Sequence, residues 1–121
     1  METLVKGTSR TPQVSVNAAT GILDITGNFI PDNAISFFET TAIKIRDFAR
    51  STQQKVTVNV RFNYLNSSSY KVFMEIFKTL SEKENVEFNW HYNNDEEILE
   101  FGKMCETVTQ KPFNFYGLKD L

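Results

Sequence analysis

The stretch Val56-Thr57-Val58-Asn59-Val60-Arg61-Phe62-Asn63-Tyr64, followed by Leu65-Asn66-Ser67-Ser68-Ser69-Tyr70-Lys71, decides the fold. Val56, Val58, Val60, Phe62 and Tyr64 alternate with Thr57, Asn59, Arg61 and Asn63. A period of two sends successive side chains to opposite faces of a strand, so this strand buries one face and wets the other. The same alternation recurs at Val86, Phe88, Trp90 and Tyr92 against Glu87, Asn89 and His91. A sheet covered by helices on both sides would show near-continuous apolar strands instead. The pattern therefore predicts a two-layer α/β sandwich with helices on one face only.

The segment between these strands supplies a helix. Tyr70, Phe73, Phe77 and Leu80 form one stripe, with Ile76 alongside and Val72 on its flank. A strand–helix–strand unit of this length implies parallel pairing through a right-handed crossover. Before it, Pro31-Asp32-Asn33 predicts a helix start, with Asp32 or Asn33 as N-cap. Ile35, Phe38, Ala42, Ile45 and Ala49 are its predicted core stripe, and Phe37 and Phe48 broaden it. Gln13–Val16 and Ile22–Thr26 predict a hairpin closed by Gly27, and residues 1–12 an extended lead-in. A third helix starts with Asn94 as N-cap and Glu97 three residues on; Ile98, Phe101, Cys105 and Val108 are its predicted core side. Gly102 allows close packing, Lys111-Pro112 stops the helix, and Phe113–Tyr116 is an edge strand. The predicted order is ββαβαβαβ, a mixed sheet of about five strands in one domain spanning residues 1–121.

Composition narrows the function classes. A chain of 121 residues with 40% hydrophobic content, eleven Phe, four Tyr and one Trp has enough apolar mass for one core. The net charge of -2, with scattered Lys and Arg, offers no basic stripe and disfavours nucleic acid as a partner. Met1–Lys6 lacks the apolar run of a signal peptide and no stretch reaches membrane-spanning length, so a cytoplasmic protein without membrane contact is expected. Cys105 cannot form an intramolecular disulfide alone and is expected to be a small buried hydrophobe.

The serine run sits where a strand hands over to a helix. Backbone N–H groups and the positive end of the helix dipole meet there, which suits a phosphoryl group. One capping residue, Asn66 or Ser67, would suffice to start the helix. Three hydroxyls followed by Lys71 exceed that need. A hydrolase built on Ser67, His91 and Asp95 is the enzymatic alternative, because parallel strands bring these ends to one edge of the sheet. Against it, the serine lacks the G-x-S-x-G elbow, and His91 alternates onto the polar face. One His and one Cys make no metal set, Asn93–Glu97 lacks the glycine and spacing of a calcium loop, and no phosphate-binding loop occurs. No cofactor is expected.

Tyr64-Leu65-Asn66-Ser67-Ser68-Ser69-Tyr70-Lys71 resembles the Y-x-N-T-S-S-x-K signature of SiaC-type regulatory phosphoproteins. Thr11-Pro12 with Gly21, Pro31-Asp32-Asn33, Asn89-Trp90-His91-Tyr92 and Pro112-Phe113 match further family motifs in the same order. The resemblance implies a fold similar to the STAS domain of anti-sigma factor antagonists. It also implies a non-enzymatic partner-switching protein in cyclic di-GMP and biofilm signalling. A serine/threonine kinase would phosphorylate it and a PP2C-type phosphatase would reverse this. The unphosphorylated form would bind and activate an effector such as a GGDEF diguanylate cyclase. The phosphoacceptor maps onto Ser67, where the family usually has Thr, with Ser68 second. Leu65, Asn66, Ser68, Ser69, Tyr70, Lys71, Asp32 and Asn33 would frame the docking surface. A blander third reading is an assembly domain that pairs as a weak homodimer through its polar sheet face or an edge strand.

Overall fold

β4, Val56–Leu65, lies inside a six-stranded sheet whose spatial order follows the chain, β1 to β6. The computed structural model describes residues 1–30 and 34–118. β1 (Glu2–Val5), β2 (Gln13–Asn17) and β3 (Ile22–Phe29) form an antiparallel meander. From β3 onward every pair is parallel, through β4, β5 (Val86–His91) and β6 (Phe113–Tyr116). The three crossovers are α1 (Ala34–Ser51), α2 (Tyr70–Ser81) and α3 (Glu96–Thr109). The helices pack side by side, α1 on α2 and α2 on α3. This is the mixed α/β fold that the alternation predicts, with one strand more than expected.

The extra strand is β1. The predicted lead-in pairs Glu2 with Val16 and Thr3 with Ser15, and Lys44 Nζ donates to the Leu4 carbonyl oxygen at 3.1 Å. The order is thus βββαβαβαβ. β3 also runs past Gly27 to Phe29, where a closing turn is expected from the sequence. Gly27 has φ +133, a conformation that side chains disfavour, and the β3–β4 register shifts immediately after it. Gly27 pairs with Phe62 but Asn28 pairs with Tyr64, leaving Asn63 as the extra residue. A bulge of one residue reverses the facing of everything after it. Leu65 is accordingly buried and Tyr64 is half exposed, against the simple alternation.

The apolar face of the sheet and the helices enclose one core. Trp90 is fully buried, and Phe62, Phe77 and Phe101 meet it edge-on at 6.0, 5.7 and 5.7 Å. Its indole N–H donates to the Ile98 carbonyl oxygen at 3.0 Å, so burial leaves no orphan donor. A Cβ on Gly102 would lie 2.5 Å from Trp90 Nε1, which is why only glycine fits there. α2 supplies Phe73, Ile76, Phe77 and Leu80 as predicted, each contributing roughly 1.5–3 kcal/mol by burial. Two helix stripes shift from their expected positions. In α1, Thr41, Ile45, Phe48 and Ala49 are buried while Ile35 is 69% exposed. In α3, Thr109 is buried and Val108 is exposed.

The opposite face carries a row of side-chain hydrogen bonds across four strands. Asn114 donates to Asn89, Asn89 to Asn59, and Asn59 to the Asp24 carboxylate, at 3.0, 2.9 and 2.9 Å. An ionised carboxylate only accepts, so Asp24 sets the direction of the whole row.

Candidate phosphoacceptor turn

β4 ends by burying Leu65 and donating Asn66 N–H to the Phe29 carbonyl oxygen at 3.1 Å. Asn66 keeps extended backbone angles, φ -73 and ψ 133, so the chain can turn only after it. Its Oδ1 accepts from Ser68 N at 2.9 Å and from Ser68 Oγ at 2.7 Å. Ser67–Ser69 then form a single 3₁₀ turn that runs directly into α2. Ser69 N–H donates to the Asn66 carbonyl oxygen at 2.8 Å, and Tyr70 N–H to that of Ser67. Asn66, one of the two expected candidates, therefore caps the 3₁₀ turn, while the N-cap position of α2 itself falls on Ser69, whose side chain makes no capping bond.

The turn places its three hydroxyls in different surroundings. Ser69 is fully buried, and its Oγ has no hydrogen-bond partner among the described residues. Ser68 is exposed, but its hydroxyl is engaged by Asn66. Ser67 is exposed, and no described hydrogen bond uses its Oγ. Ser69 and Leu65, both expected on a docking surface, belong to the interior, because the turn has to seat on the core at each end.

Tyr70 ties the turn to α3. Its ring stacks on Phe101 with centroids 4.1 Å apart and planes 11° apart. Burial pushes the phenol above its usual value, and Glu97 and Asp95 push it further. The acidic start of α3 is thus a near neighbour of the first residue of α2. Lys71 is exposed on the first turn of α2. With Ile35, Phe38, Ser68, Val72 and Glu75 it lines a mostly apolar depression of about 350 Å3 between α1 and α2. Asp32 and Asn33, expected on the same surface, lie outside the described residues.

Sequence reasoning missed this depression because it assigned Ile35 to the core. At about 100° per residue, Ile35 sits roughly 80° round the helix from Ile45, on the flank of the buried stripe. A large apolar residue on a flank in the first turn was the available signal.

The residues of the hydrolase alternative do not meet. His91 Nδ1 lies 3.4 Å from Arg61 Nη2, and its ring stacks on Tyr116 at 4.9 Å. Arg61 precedes Leu65 by four residues, roughly 13 Å along the strand, so His91 lies well below the turn. Burial and then Arg61 hold the imidazole pKa below its usual value. Asp95 caps α3 instead, accepting from Glu97 N at 2.9 Å and Ile98 N at 3.2 Å. That cap falls one residue later than expected, since Asn93 and Asn94 both adopt positive φ, 50 and 59. No described hydrogen bond joins Ser67, His91 and Asp95. Cys105 is fully buried, as expected, and burial pushes its thiol up to about 12. Among the described residues no cluster of His, Cys, Asp and Glu could hold a metal, and no helix is long and apolar enough to cross a membrane.

Comparison with known proteins gives a consistent result. A family model described as SiaC family regulatory phosphoprotein matches residues 5–118. An uncharacterised protein of Pseudomonas aeruginosa strain UCBPP-PA14 is 29% identical over 114 residues, covering 90% of each chain. The crystal structure of apo-SiaC from Pseudomonas aeruginosa superposes with a TM-score of 0.79 at 27% identity, covering 95% of this chain and 98% of that one. A chain from the structure of the diguanylate cyclase SiaD in complex with its activator SiaC, from the same organism, superposes with a TM-score of 0.78. Its identity is 27%, over 92% of this chain and 95% of that one.

Proposed function

This chain belongs to the SiaC family of regulatory phosphoproteins, and from that premise we propose that it is a non-enzymatic switch set by phosphate on Ser67. Unmodified, it binds and activates an effector, and a GGDEF diguanylate cyclase is the class that the relatives suggest. A serine/threonine kinase places the phosphate, and a PP2C-type phosphatase removes it. Ser67 is the acceptor and Ser68 the second choice. One observation carries this assignment: of three adjacent hydroxyls, Ser67 alone is both exposed and free of a described hydrogen bond.

The mechanism follows from charge and position. Phosphate adds about -1.5 to -2 charges at neutral pH. The positive end of the α2 dipole and the exposed Lys71 tolerate such a charge, so the fold stays intact. The neighbouring depression supplies apolar contact through Ile35, Phe38 and Val72, with Ser68 and Lys71 on its border. A partner seated there would have to strip water from the new dianion or leave a gap, and either weakens docking. Switching thus needs no rearrangement of the core.

Binding of purified effector to Ser67→Asp and Ser67→Ala tests the proposal. We expect Ser67→Asp to weaken binding at least about tenfold, or about 1.4 kcal/mol, and Ser67→Ala to bind like the unmodified chain. Equal binding by both variants would sink it.

A further inference from the structure

The face of the sheet opposite the helices has a second row of side chains beside the amide row. Thr26, Arg61, His91 and Tyr116 are consecutive partners in the register across β3, β4, β5 and β6. Between the rows lies a depression of about 280 Å3 lined by Asp24, Thr26, Asn59, Arg61 and His91. It contains one anion and one cation, and no described ion pair joins them. Asp24 Oδ1 accepts from Asn59, and Arg61 Nη2 meets His91 Nδ1. The remaining oxygen of Asp24 and most of the guanidinium donors have no described partner. Each charge is held by its own row, Asp24 at the end of the amide row and Arg61 against the imidazole. Both residues line the depression and no described ion pair joins their heads, so the gap between them stays open.

We infer that this depression is a binding site for a free α-amino acid, with Arg61 taking the carboxylate and Asp24 the ammonium. Arg61 can offer a carboxylate two parallel N–H donors. The ammonium has three donors, of which the remaining oxygen of Asp24 and Thr26 Oγ1 can accept two, while Asn59 Oδ1 stays with Asn89. A molecule carrying both charges completes both residues at once, whereas a simple anion would face Asp24 and a simple cation would face Arg61. Burial and then Arg61 lower the His91 pKa, which disfavours a second cation beside Arg61. The ligand's side chain has a defined direction. Asp24 and Thr26 also border a larger trough of about 580 Å3 lined by Thr3, Thr11, Gln13 and Ser15. Met1 and Gly7 line it as well, but its hydroxyls and the Gln13 amide give a hydrogen-bonding side chain such as that of glutamine more partners than an aliphatic one.

Titration of the ¹⁵N-labelled full chain with glutamine, followed by amide shifts, tests the site. Acetate, ethylammonium and leucine are titrated in parallel. We expect saturable shifts at Asp24, Thr26, Asn59, Arg61 and His91 with glutamine, weaker ones with leucine, and none that saturate with acetate or ethylammonium. Arg61→Gln is an exposed change, and Asp24→Asn keeps an oxygen for Asn59, so both variants should fold. Each should weaken glutamine binding at least about tenfold. Absence of saturable shifts with glutamine would overturn the inference. So would equal shifts with acetate alone, or unchanged affinity in both variants.

Discussion

β4 and β5 run parallel and hand over to α2 and α3 at the same edge of the sheet, yet they do it with different chemistry. After β5, the chain uses two asparagines with positive φ, an Asp95 cap that accepts two backbone N–H bonds, and Glu96 and Glu97 in the first helical turn. Each of these polar groups serves the structure, by shaping the turn, capping the helix or complementing its dipole. After β4, Asn66 alone caps the turn, and the serines that follow add hydroxyls beyond what the turn uses. One is buried, one is tied back to the cap, and Ser67 is left over. The β5 handover also repels added negative charge, whereas the β4 turn has Lys71 beside it. A surplus hydroxyl at a helix start without acidic neighbours in its own turn is a place where modification costs the fold little.

Substitutions can break this comparison at several depths. Phe101 lies beneath both handovers, stacked on Tyr70 and edge-on to Trp90. Phe101→Ala should cost about 3–5 kcal/mol and loosen both, as read by denaturant unfolding. Asp95→Ala removes the two-bond cap of α3 and should cost about 1–2 kcal/mol without changing effector binding. Asn66→Ala should cost about 1 kcal/mol. It should also free Ser68, so that the kinase begins to modify Ser68, measurable by phosphopeptide mapping. Ser67→Ala should stay within about 0.5 kcal/mol of the parent, because its hydroxyl holds nothing. If Ser67→Ala destabilises as much as Asp95→Ala, the two handovers are equivalent and the surplus is an illusion.

The smallest effect concerns the open face below the turns. Burial first, and Arg61 second, depress the His91 pKa, so the folded state resists protonation. Stability should therefore fall slightly as pH drops through about 6.5, the unfolded value, toward the lower folded value. Arg61→Gln should raise the His91 midpoint in an NMR titration only part of the way, since burial remains.

The sheet and its one-sided cover were legible because alternation in β4 and β5 is a local record of which face is buried. Features set by distant partners were not. β1 has only Leu4 and Val5 to suggest it and becomes a strand by pairing with β2. The reversal at Tyr64 and Leu65 depends on a register shift after Gly27 in another strand. The α3 cap lies one residue beyond its expected place because Asn94 and Asp95 are both good caps, and only backbone angles separate them. At the candidate site, composition and spacing locate the serine run without ranking its hydroxyls, and only the family resemblance singles out Ser67. Seating of the turn on the core distinguishes them, and it also hides Leu65 and Ser69 from any partner. The Ile35 depression is hard to read for the converse reason: an apolar residue reads as core unless its place on the flank of the helix is weighed.

We propose Ser67, and not its neighbours, as the site of the switch. Incubation of the unmodified chain with the proposed serine/threonine kinase and ATP, followed by site mapping on peptides spanning residues 66–70, tests that most directly. A single phosphate on Ser67 is the expected result. Phosphate on Ser68 or Ser69 in place of Ser67, or none within that stretch, would contradict it.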